Sequence, residues 1–557
     1  MSLGMQLLAC AERRPDAEAV VEGEERLDYS ALAEKVSAVA GGLHQLGVGQ
    51  GDAIAVALRN RADTVVLYWA AQWLGAWFVP VNWRLTAGEI RYCVRDAGAR
   101  VFAYEGASEQ AGAVLGEEVS LVAVADATIG VPFGELAVAP RRPEPARVEE
   151  SSPALMLYTS GTTGQPKGVP RSQLAEWSAA LAHAVQCRYS LGERTLGVMP
   201  FYHTMGMRSL LSMAVVDGCL VVEPAFRAAA ALDVVQAEAI TALYLAPTLF
   251  HDLVVASRDR PSGAPSVAKL AYAGAPMTGA LVRACQAAFA PRVFVNHYGS
   301  TEVYTFSVHP DQVAKPGCAG RPGVHARLRL VPPGDEPDPH QVVAPGEAGQ
   351  IACHSSSLEA FAGYWHRPDA DERAIRDGWY LTGDLGRLDG DGDLWVLGRV
   401  DDMIISGGEN VFPLEVENVL ATHPKVYEVA VVGLPDERLG AKVVACVVGQ
   451  DDLDAGALDA HCLASGALAP FKRPREYRFV KALPRNAAGK LMKRVLQDDL
   501  AGQGDVAEQG DVAGQDDVAE QGDVAGQGDV AGQGDVAGQG DVAEQGDVAG
   551  REEERSG

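Results

Sequence analysis

Residues 158–171 read YTSGTTGQPKGVPR and continue from the apolar run ALMLY (154–158), which is predicted to be a strand. Glycines in such a loop let backbone N–H groups face an anion with no Cβ in the way. The Ser and Thr hydroxyls donate further hydrogen bonds, and Lys167 adds a positive charge. This chemistry suits a polyphosphate, although the string does not fit the P-loop pattern GxxxxGK[ST]. A flexible polar turn is the alternative interpretation, which the length of the string disfavours.

On both sides of this loop, apolar runs predicted to be buried strands alternate with helical patterns. The runs are DAIAVAL, WFVPVN, LVAVAD, TLGVMP, CLVVEP and ALYLAP. This alternation predicts an α/β fold with largely parallel strands in a large N-terminal domain of layered subdomains. After Arg399 the pattern restarts as a smaller α+β unit, so we predict domains at 1–400 and 401–500 and a tail at 501–557.

The tail differs from the rest of the chain in composition. Residues 501–548 are eight hexapeptides, AGQGDV or AEQGDV with one change at Asp516. Of the net charge of −27, this repeat contributes −12 and the last seven residues −1, which leaves −14 for residues 1–500. A repeat with one Val in six residues could form a β-helix, but its Gly-rich acidic composition favours a disordered tail. The fold is expected to end near Leu500.

Composition bounds the class of protein. The 557 residues exceed one domain of roughly 100–200 residues, and 47% hydrophobic content excludes a chain that is disordered throughout. Nine Cys without a CxxC pair predict neither a disulfide framework nor a zinc ribbon, as expected of a cytoplasmic protein. The acidic balance argues against nucleic-acid binding, and no signal peptide or membrane span is expected. A homodimer is compatible with these features.

Seven strings together resemble the signatures of the adenylate-forming superfamily, which comprises acyl-CoA synthetases, luciferases and adenylation domains. Beside the loop they are, in chain order, FYHTMG (201–206), YAGAPM (272–277), NHYGSTE (296–302), YLTGDLG (380–386), GRVDDMIISGGENVFPLEVE (398–417) and PRNAAGK (484–490). The resemblance is collinear over about residues 5–497. It implies that a carboxylate attacks the α-phosphate of ATP, that acyl-AMP and pyrophosphate form, and that a thiol then displaces AMP.

The resemblance implies ATP, Mg²⁺ and coenzyme A as cofactors and assigns roles to matching residues. Glu302 would hold Mg²⁺, and Thr301 would contact the α-phosphate; a solvated Glu after a turn is the alternative. Asp384, expected after the strand GWYLTGD, would accept hydrogen bonds from the ribose hydroxyls, with Arg399 nearby. The predicted nucleotide-binding set is Thr159, Ser160, Gly161, Thr162, Thr163, Gly164, Lys167, Gly274, Ala275, Pro276, Asn296, Tyr298, Gly299, Ser300, Thr301, Asp384 and Arg399.

Lys490 resembles the lysine that bridges the substrate carboxylate and the α-phosphate, whereas Lys493 and Arg494 are expected to be solvated. Asp401 matches the hinge about which relatives rotate a small mobile C-terminal domain between the two half-reactions. The positions that resemble coenzyme A contacts are Arg84, Gly407, Gly408, Phe471 and Arg473. Surface charges that lie over apolar residues are the alternative for the two arginines.

The C-terminal third resembles aryl-CoA ligases of the halobenzoate and hydroxybenzoate type, which implies a benzoate-like acid as substrate. The implied acid pocket comprises His203, also a catalytic candidate, with Met207, Ala273 and Tyr304; core packing is the alternative for Met207 and His203. His297 and Tyr304 could bond a ring hydroxyl or amine. A medium-chain fatty acyl-CoA ligase, a luciferase-like oxidase and a non-catalytic interaction protein that works through its tail are the alternative functions.

Overall fold

The computed structural model describes residues 2–116, 118–138, 142–159, 165–258, 260, 264–334, 336–466, 468–485 and 491–506. The predicted tail therefore lies outside the described residues except for its first hexapeptide. None of the helices in these ranges is long and apolar enough to cross a membrane.

Residues up to 322 form two large sheets with helices between and around them. The strands are β1 Glu18–Glu22, β2 Glu25–Asp28, β3 Ala53–Ala57, β4 Trp77–Pro80, β5 Ala99–Tyr104, β6 Ser120–Ala123, β7 Val131–Pro132, β8 Pro153–Thr159, β9 Lys167–Ser172, β10 Arg194–Gly197, β11 Cys219–Val222, β12 Ala242–Leu245, β13 Lys269–Tyr272, β14 Val293–Tyr298, β15 Ser307–His309 and β16 Arg321–Pro322. Within the described residues, the first sheet has the order β16-β15-β14-β13-β12-β10-β11-β1-β2 and the second β7-β6-β5-β3-β4-β8-β9.

The helices of this part are α1 Leu3–Arg13, α2 Tyr29–Gln45, α3 Ala62–Leu74, α4 Ala87–Asp96, α5 Glu109–Leu115, α6 Phe133–Leu136, α7 Gln173–Gln186, α8 Thr204–Val215, α9 Ala228–Ala237, α10 Pro247–Ser257 and α11 Gly279–Phe289. Strands β10 to β14 and β3 to β8 pair mostly in parallel, which confirms the predicted α/β layering. Helix α2 is capped by Asp28, whose side chain accepts from the Ala31 N–H, and it ends before Gly47. Helix α1 was not predicted.

A third sheet follows, made of β17 Leu328–Val331, β18 Ala348–His354, β19 Ile375–Arg376, β20 Trp379–Leu388 and β21 Leu394–Arg399, with helix α12 Pro368–Ala374 beside it. Its pairs are antiparallel. The order β17-β18-β20-β19, with β21 on β20, brings the TGD string and Arg399 onto neighbouring strands.

The small C-terminal part has a sheet of its own. It contains β22 Ile404–Ser406, β23 Glu409–Val411, β24 Val426–Asp436, β25 Gly440–Gly449, β26 Glu476–Phe479, α13 Pro413–Leu420, α14 Ala455–Ala464 and α15 Lys493–Val506. A large N-terminal α/β part and a small α+β C-terminal part thus agree with the predicted fold class. Helix α15 continues beyond Leu500 through the first hexapeptide of the repeat, and Leu496 packs in the core of the C-terminal part.

Candidate active site

The predicted phosphate loop joins two antiparallel strands, β8 and β9. Tyr158 pairs with Gly168, and Thr159 with Lys167, so the chain enters and leaves the loop at the same point. The Thr159 hydroxyl lies 3.5 Å from the carbonyl oxygen of Lys167. Residues 160–164, which include the predicted contacts Ser160, Gly161, Thr162, Thr163 and Gly164, lie outside the described residues.

Lys167 and Glu302 meet through a tyrosine that the sequence analysis missed. The Tyr364 hydroxyl donates a hydrogen bond of 2.7 Å to Oε1 of the buried Glu302, and Lys167 Nζ lies 4.1 Å from the centroid of the Tyr364 ring. Burial lowers the pKa of Lys167, and the Glu302 carboxylate opposes that shift. The next residue, Trp365, donates its N–H to the Gly168 carbonyl at 2.9 Å. The sequence feature that could have indicated Tyr364 is the aromatic residue directly after Gly363 in FAGYWHRP (361–368).

The turn that carries Glu302 is tight. The amide N–H groups of Glu302 and Val303 donate to Ser300 Oγ at 3.2 and 3.3 Å. A Cβ added at Gly299 would lie 2.1 Å from the Tyr304 carbonyl oxygen, so only glycine fits there. Thr301, half-buried, lies in the same turn directly before Glu302.

Tyr298, Asp384 and Arg399 form a hydrogen-bonded triad. The Tyr298 hydroxyl donates to one Asp384 oxygen at 2.6 Å, and Arg399 donates to the other at 2.8 Å. Asp384 lies inside β20, opposite Arg399 on β21, and not after a strand as predicted, because the strand continues past the positive φ of Gly383. Each carboxylate oxygen can accept a second hydrogen bond, so the pair leaves Asp384 able to bind hydroxyl groups.

The predicted nucleotide contacts Asn296, Gly274, Ala275 and Pro276 lie at or just after the carboxyl ends of two neighbouring parallel strands. Tyr272, the last residue of β13, is in register with Asn296 on β14, whose amide donates to the Cys318 carbonyl at 2.9 Å. The exposed turn of Gly274, Ala275 and Pro276 follows directly, with a positive φ of 86° at the glycine. Ligands of open parallel sheets bind at this edge.

His203 is the residue at which helix α8 begins, and burial lowers the pKa of its imidazole to about 4. Its ring lies 4.7 Å from that of Tyr202, whose hydroxyl accepts a hydrogen bond of 2.7 Å from Arg84. The structure thus brings Arg84, a predicted coenzyme A contact, close to the acid-side candidate His203. This neighbourhood was not evident from the sequence.

The other acid-pocket candidates are all buried. Met207 is fully buried within the largest hydrophobic cluster, together with Tyr304, which favours the core-packing interpretation for Met207. Ala273 comes directly after β13, and the Arg171 guanidinium covers the Tyr304 ring at 3.8 Å from its centroid.

The C-terminal candidates contact residues of their own part of the chain. Gly407 and Gly408 form the turn between β22 and β23 with φ of 62° and 85°, and Gly407 donates its N–H to the Leu439 carbonyl. Arg473 pairs with Asp459 at 2.7 Å, whereas Phe471 is 42% exposed.

The two remaining C-terminal candidates are the hinge residue Asp401 and the catalytic candidate Lys490. Asp401 lies exposed in the turn between β21 and β22. Lys490 lies outside the described residues. Lys493 was expected to be solvated, but its ammonium pairs with Glu417 at 2.6 Å and its side chain is only 16% exposed, because helix α15 packs against the C-terminal sheet.

The model of the AMP-binding enzyme family matches residues 7–365, and that of the AMP-binding enzyme C-terminal domain matches residues 415–490. The chain belongs to the AMP-binding enzyme family. Among its relatives is a 4-chlorobenzoate–CoA ligase of Arthrobacter, 35% identical over 90% of this chain and 96% of the relative. A long-chain-fatty-acid–CoA ligase of Mycobacterium tuberculosis is 30% identical over 89% of this chain and 98% of the relative.

A solved structure of o-succinylbenzoate coenzyme A synthetase from Bacillus subtilis, in complex with ATP and magnesium, has the same fold. It superimposes with a TM-score of 0.76 at 28% identity and covers 89% of this chain and 98% of its own. The chain therefore has nearly the full length of these acid–CoA ligases.

Proposed function

We propose that this protein is an ATP-dependent ligase that joins a benzoate-like aromatic acid to coenzyme A through an acyl-AMP intermediate. The observation that carries the proposal is that residues of four separate strings form two groups of contacting polar side chains. One is the triad of Tyr298, Asp384 and Arg399, and the other is the contact of Lys167 and Glu302 through Tyr364.

The nucleotide side supports binding of ATP with Mg²⁺. Glu302 offers a carboxylate, the ligand type that a hard cation prefers, and one of its oxygens, Oε1, accepts a hydrogen bond from Tyr364. Mg²⁺ would supply charge neutralisation at the phosphates. Lys167 would add positive charge beside the phosphate loop, and Asp384 would accept from the ribose hydroxyls while Tyr298 and Arg399 hold its orientation.

In the first half-reaction a carboxylate oxygen of the acid bonds to the α-phosphorus, and the bond to pyrophosphate breaks. Two anions meet in this step, so positive charge at the reacting atoms lowers the barrier. We assign this task to Lys490 from its position in PRNAAGK, with Thr301 contacting the α-phosphate and the neutral His203 closing the acid side.

In the second half-reaction the thiol sulfur of coenzyme A bonds to the acyl carbon, and AMP leaves. Rotation about Asp401 would withdraw Lys490 and present the glycine turn of Gly407 and Gly408 to the pantetheine arm, where the lack of a Cβ permits close approach. Arg84 and Phe471 remain proposed coenzyme A contacts. Arg473 could serve only after exchanging Asp459 for a phosphate.

The aromatic class rests on the relatives that act on benzoate-type acids and on the aromatic and imidazole groups near the pocket candidates. A fatty acid is the second candidate, because one relative is named a long-chain-fatty-acid–CoA ligase.

The test is AMP release from ATP, with and without coenzyme A, for benzoate, hydroxy-, amino- and halobenzoates and octanoate. Release that needs both coenzyme A and an aromatic acid is the expected result. Release with octanoate alone would replace the aromatic acid by a fatty acid and keep the mechanism. No release with any acid, despite bound ATP, would contradict the proposal.

A further inference from the structure

Five polar side chains are buried together between helices α7 and α8 and the strands β12 and β14. Each is at most 2% exposed; they are His183, Cys187, Arg208, Tyr244 and His297, here called the buried polar cluster. The His183 ring lies 4.5 Å from that of Tyr244 and 4.8 Å from that of His297, and Cys187 Sγ lies 3.2 Å from His297 Nε2.

The buried polar cluster adjoins two residues of the proposed acid pocket. His297 comes one residue after Asn296 on β14, which places it in register beside Ala273, one residue after Tyr272. The Arg208 guanidinium lies 5.3 Å from the centroid of the Tyr304 ring. An acid bound against Ala273 and Tyr304 would therefore meet the cluster with the part of its ring remote from the carboxylate.

Two atoms of the cluster have unused hydrogen-bonding capacity. His297 Nδ1 and Arg208 Nε are buried and have no hydrogen-bond partner among the described residues. Buried polar atoms are nearly always paired in folded proteins, since desolvation without a partner is unfavourable. A polar group of a bound ligand would provide a hydrogen-bond partner for His297 Nδ1 or Arg208 Nε.

The charges around the buried polar cluster determine whether a charged or a neutral ligand group can bind there. Arg208 already pairs with Glu359 at 3.4 Å, and Glu359 also lies 3.4 Å from His325. Burial lowers the pKa of His183 and of His297 well below the usual range, so both imidazoles are neutral. A second carboxylate would find no unpaired positive charge here, whereas a neutral group would keep the balance.

We infer that the acid carries a hydroxyl on its ring and that His297, with Arg208 and Tyr244 beside it, is the specificity-determining residue that binds it. This inference rests on the proposed function. A hydroxyl both donates and accepts, so it pairs with Nδ1 in either tautomer of His297, which a halogen or an unsubstituted ring does not. Sites built around a hydrogen bond reject analogues that lack the group.

The same residues also meet the geometric requirement for a metal site. Ligand atoms of His183, Cys187 and His297 lie within 4.8 Å of one another. Metals bind the thiolate form of cysteine, and burial raises the pKa of Cys187 to about 12, which favours the thiol and hence the hydrogen-bonding role.

The experiment compares kcat/KM for 3- and 4-hydroxybenzoate with that for benzoate and 4-chlorobenzoate. We expect the better hydroxy acid to exceed benzoate by about tenfold to a hundredfold. His297→Leu should reduce this ratio to near one, and His297→Asn, which keeps a polar atom near Nδ1, should restore part of it. His309→Leu is the matched control: His309 is a buried histidine with an unpartnered Nδ1 on the neighbouring strand β15, and its loss should leave the ratio unchanged.

Each of four results would overturn the inference. Equal kcat/KM for benzoate and both hydroxy acids would refute it while leaving the aromatic ligase intact. A ratio that His297→Leu and His309→Leu lower alike would show a general effect on the fold. One equivalent of tightly bound transition metal in the purified protein would assign Cys187 and His297 as ligands instead. No AMP release with any aromatic acid would remove the proposed function and the inference together.

Discussion

The proposed nucleotide side and the proposed acid side of this site are built in different ways. On the nucleotide side, Tyr298, Glu302 and Asp384 lie in short strings rich in Gly, Ser and Thr, and their partners are other polar side chains. On the acid side, His183, Arg208 and Tyr244 stand singly within apolar helices and strands, and tertiary packing alone brings them together.

The difference follows from what each side must recognise. A nucleotide presents the same phosphates and ribose to every enzyme of this kind, so backbone geometry and glycines recur as strings. Acids vary, and one side chain that projects from a strand changes the pocket without altering the fold. The nucleotide side should therefore control the rate with every acid, and the acid side should control the choice among them.

The largest effect is expected for Lys490→Ala, which removes the proposed charge at the meeting anions. Acid-dependent pyrophosphate exchange should fall by about a thousandfold, the scale of losing one strong transition-state contact. Thioester formation from supplied acyl-AMP and coenzyme A should remain near wild type. Lys493→Ala is the control, because Lys493 pairs with Glu417 and its loss should affect stability alone. An equal loss in both half-reactions would remove Lys490 from its assigned role.

A somewhat smaller effect is expected for Asp384→Ala. The change removes the proposed ribose acceptor and leaves Tyr298 and Arg399 without their shared partner. The KM for ATP should rise by about tenfold to a hundredfold, as for the loss of charge-assisted hydrogen bonds. The rise should be the same for every acid, and exposed Asp391→Ala in the adjoining turn should leave the KM unchanged. A rise in the KM for ATP that depends on the acid would contradict the proposal that the nucleotide side and the acid side act independently.

Tyr364→Phe tests the hydrogen bond to Glu302, a contact that none of the sequence motifs predicted. Loss of the hydroxyl frees Glu302 Oε1 and removes one restraint on the carboxylate. We expect the Mg²⁺ concentration for half-maximal rate to rise by about tenfold, with the KM for the acid unchanged. Tyr104→Phe, which removes a hydroxyl bonded to the Ile129 carbonyl and not to the phosphate loop, is the matched control. An unchanged Mg²⁺ dependence would show that Tyr364 contributes to packing and not to Mg²⁺ binding by Glu302.

Much of the fold could be predicted because hydrophobic periodicity is local. The strand before the phosphate loop and the parallel pairing of β10 with β11 and β12 follow from apolar runs separated by helical patterns. Helix α1 was missed although its buried residues Leu3, Leu7 and Cys10 recur at helical spacing and its charged residues lie only in its last turn. Lys493 was taken as solvated because a lysine on a helix gives no sign in sequence of the partner that tertiary packing supplies.

In the candidate site too, local sequence identified residues, whereas contacts between distant residues could not be predicted. The residues of the triad could be named from their strings, but their mutual hydrogen bonds could not, because Asp384 and Tyr298 come from different sheets. Of the buried polar cluster, the sequence singled out His297 alone, because only His297 lies inside a string. Cys187 and His297 are 110 positions apart, and no local pattern relates them.

The smallest expected effect is a pH dependence of the free energy of unfolding that arises from His297 on the acid side. The folded-state pKa of His297 lies well below the value of about 6.5 that an exposed histidine has, so the unfolded chain binds a proton that the folded protein does not. Lowering the pH from 6.5 to 5.5 should therefore reduce the free energy of unfolding, by about 1 kcal/mol for each such histidine. Above pH 7 the contribution should be constant, because His297 is then neutral in both states.

Urea unfolding at pH 7.5, 6.5 and 5.5 would measure this dependence. His297→Leu should reduce the loss between pH 6.5 and 5.5 relative to wild type, and His251→Leu, which removes a histidine 65% exposed, should leave the loss unchanged. Carboxylates that titrate in this range contribute alike to all three proteins and cancel in the comparison. If wild type and His297→Leu lose stability equally, the imidazole is protonated as readily when folded as when unfolded. The acid side would then carry charge, and it would favour an anionic ring substituent over a hydroxyl.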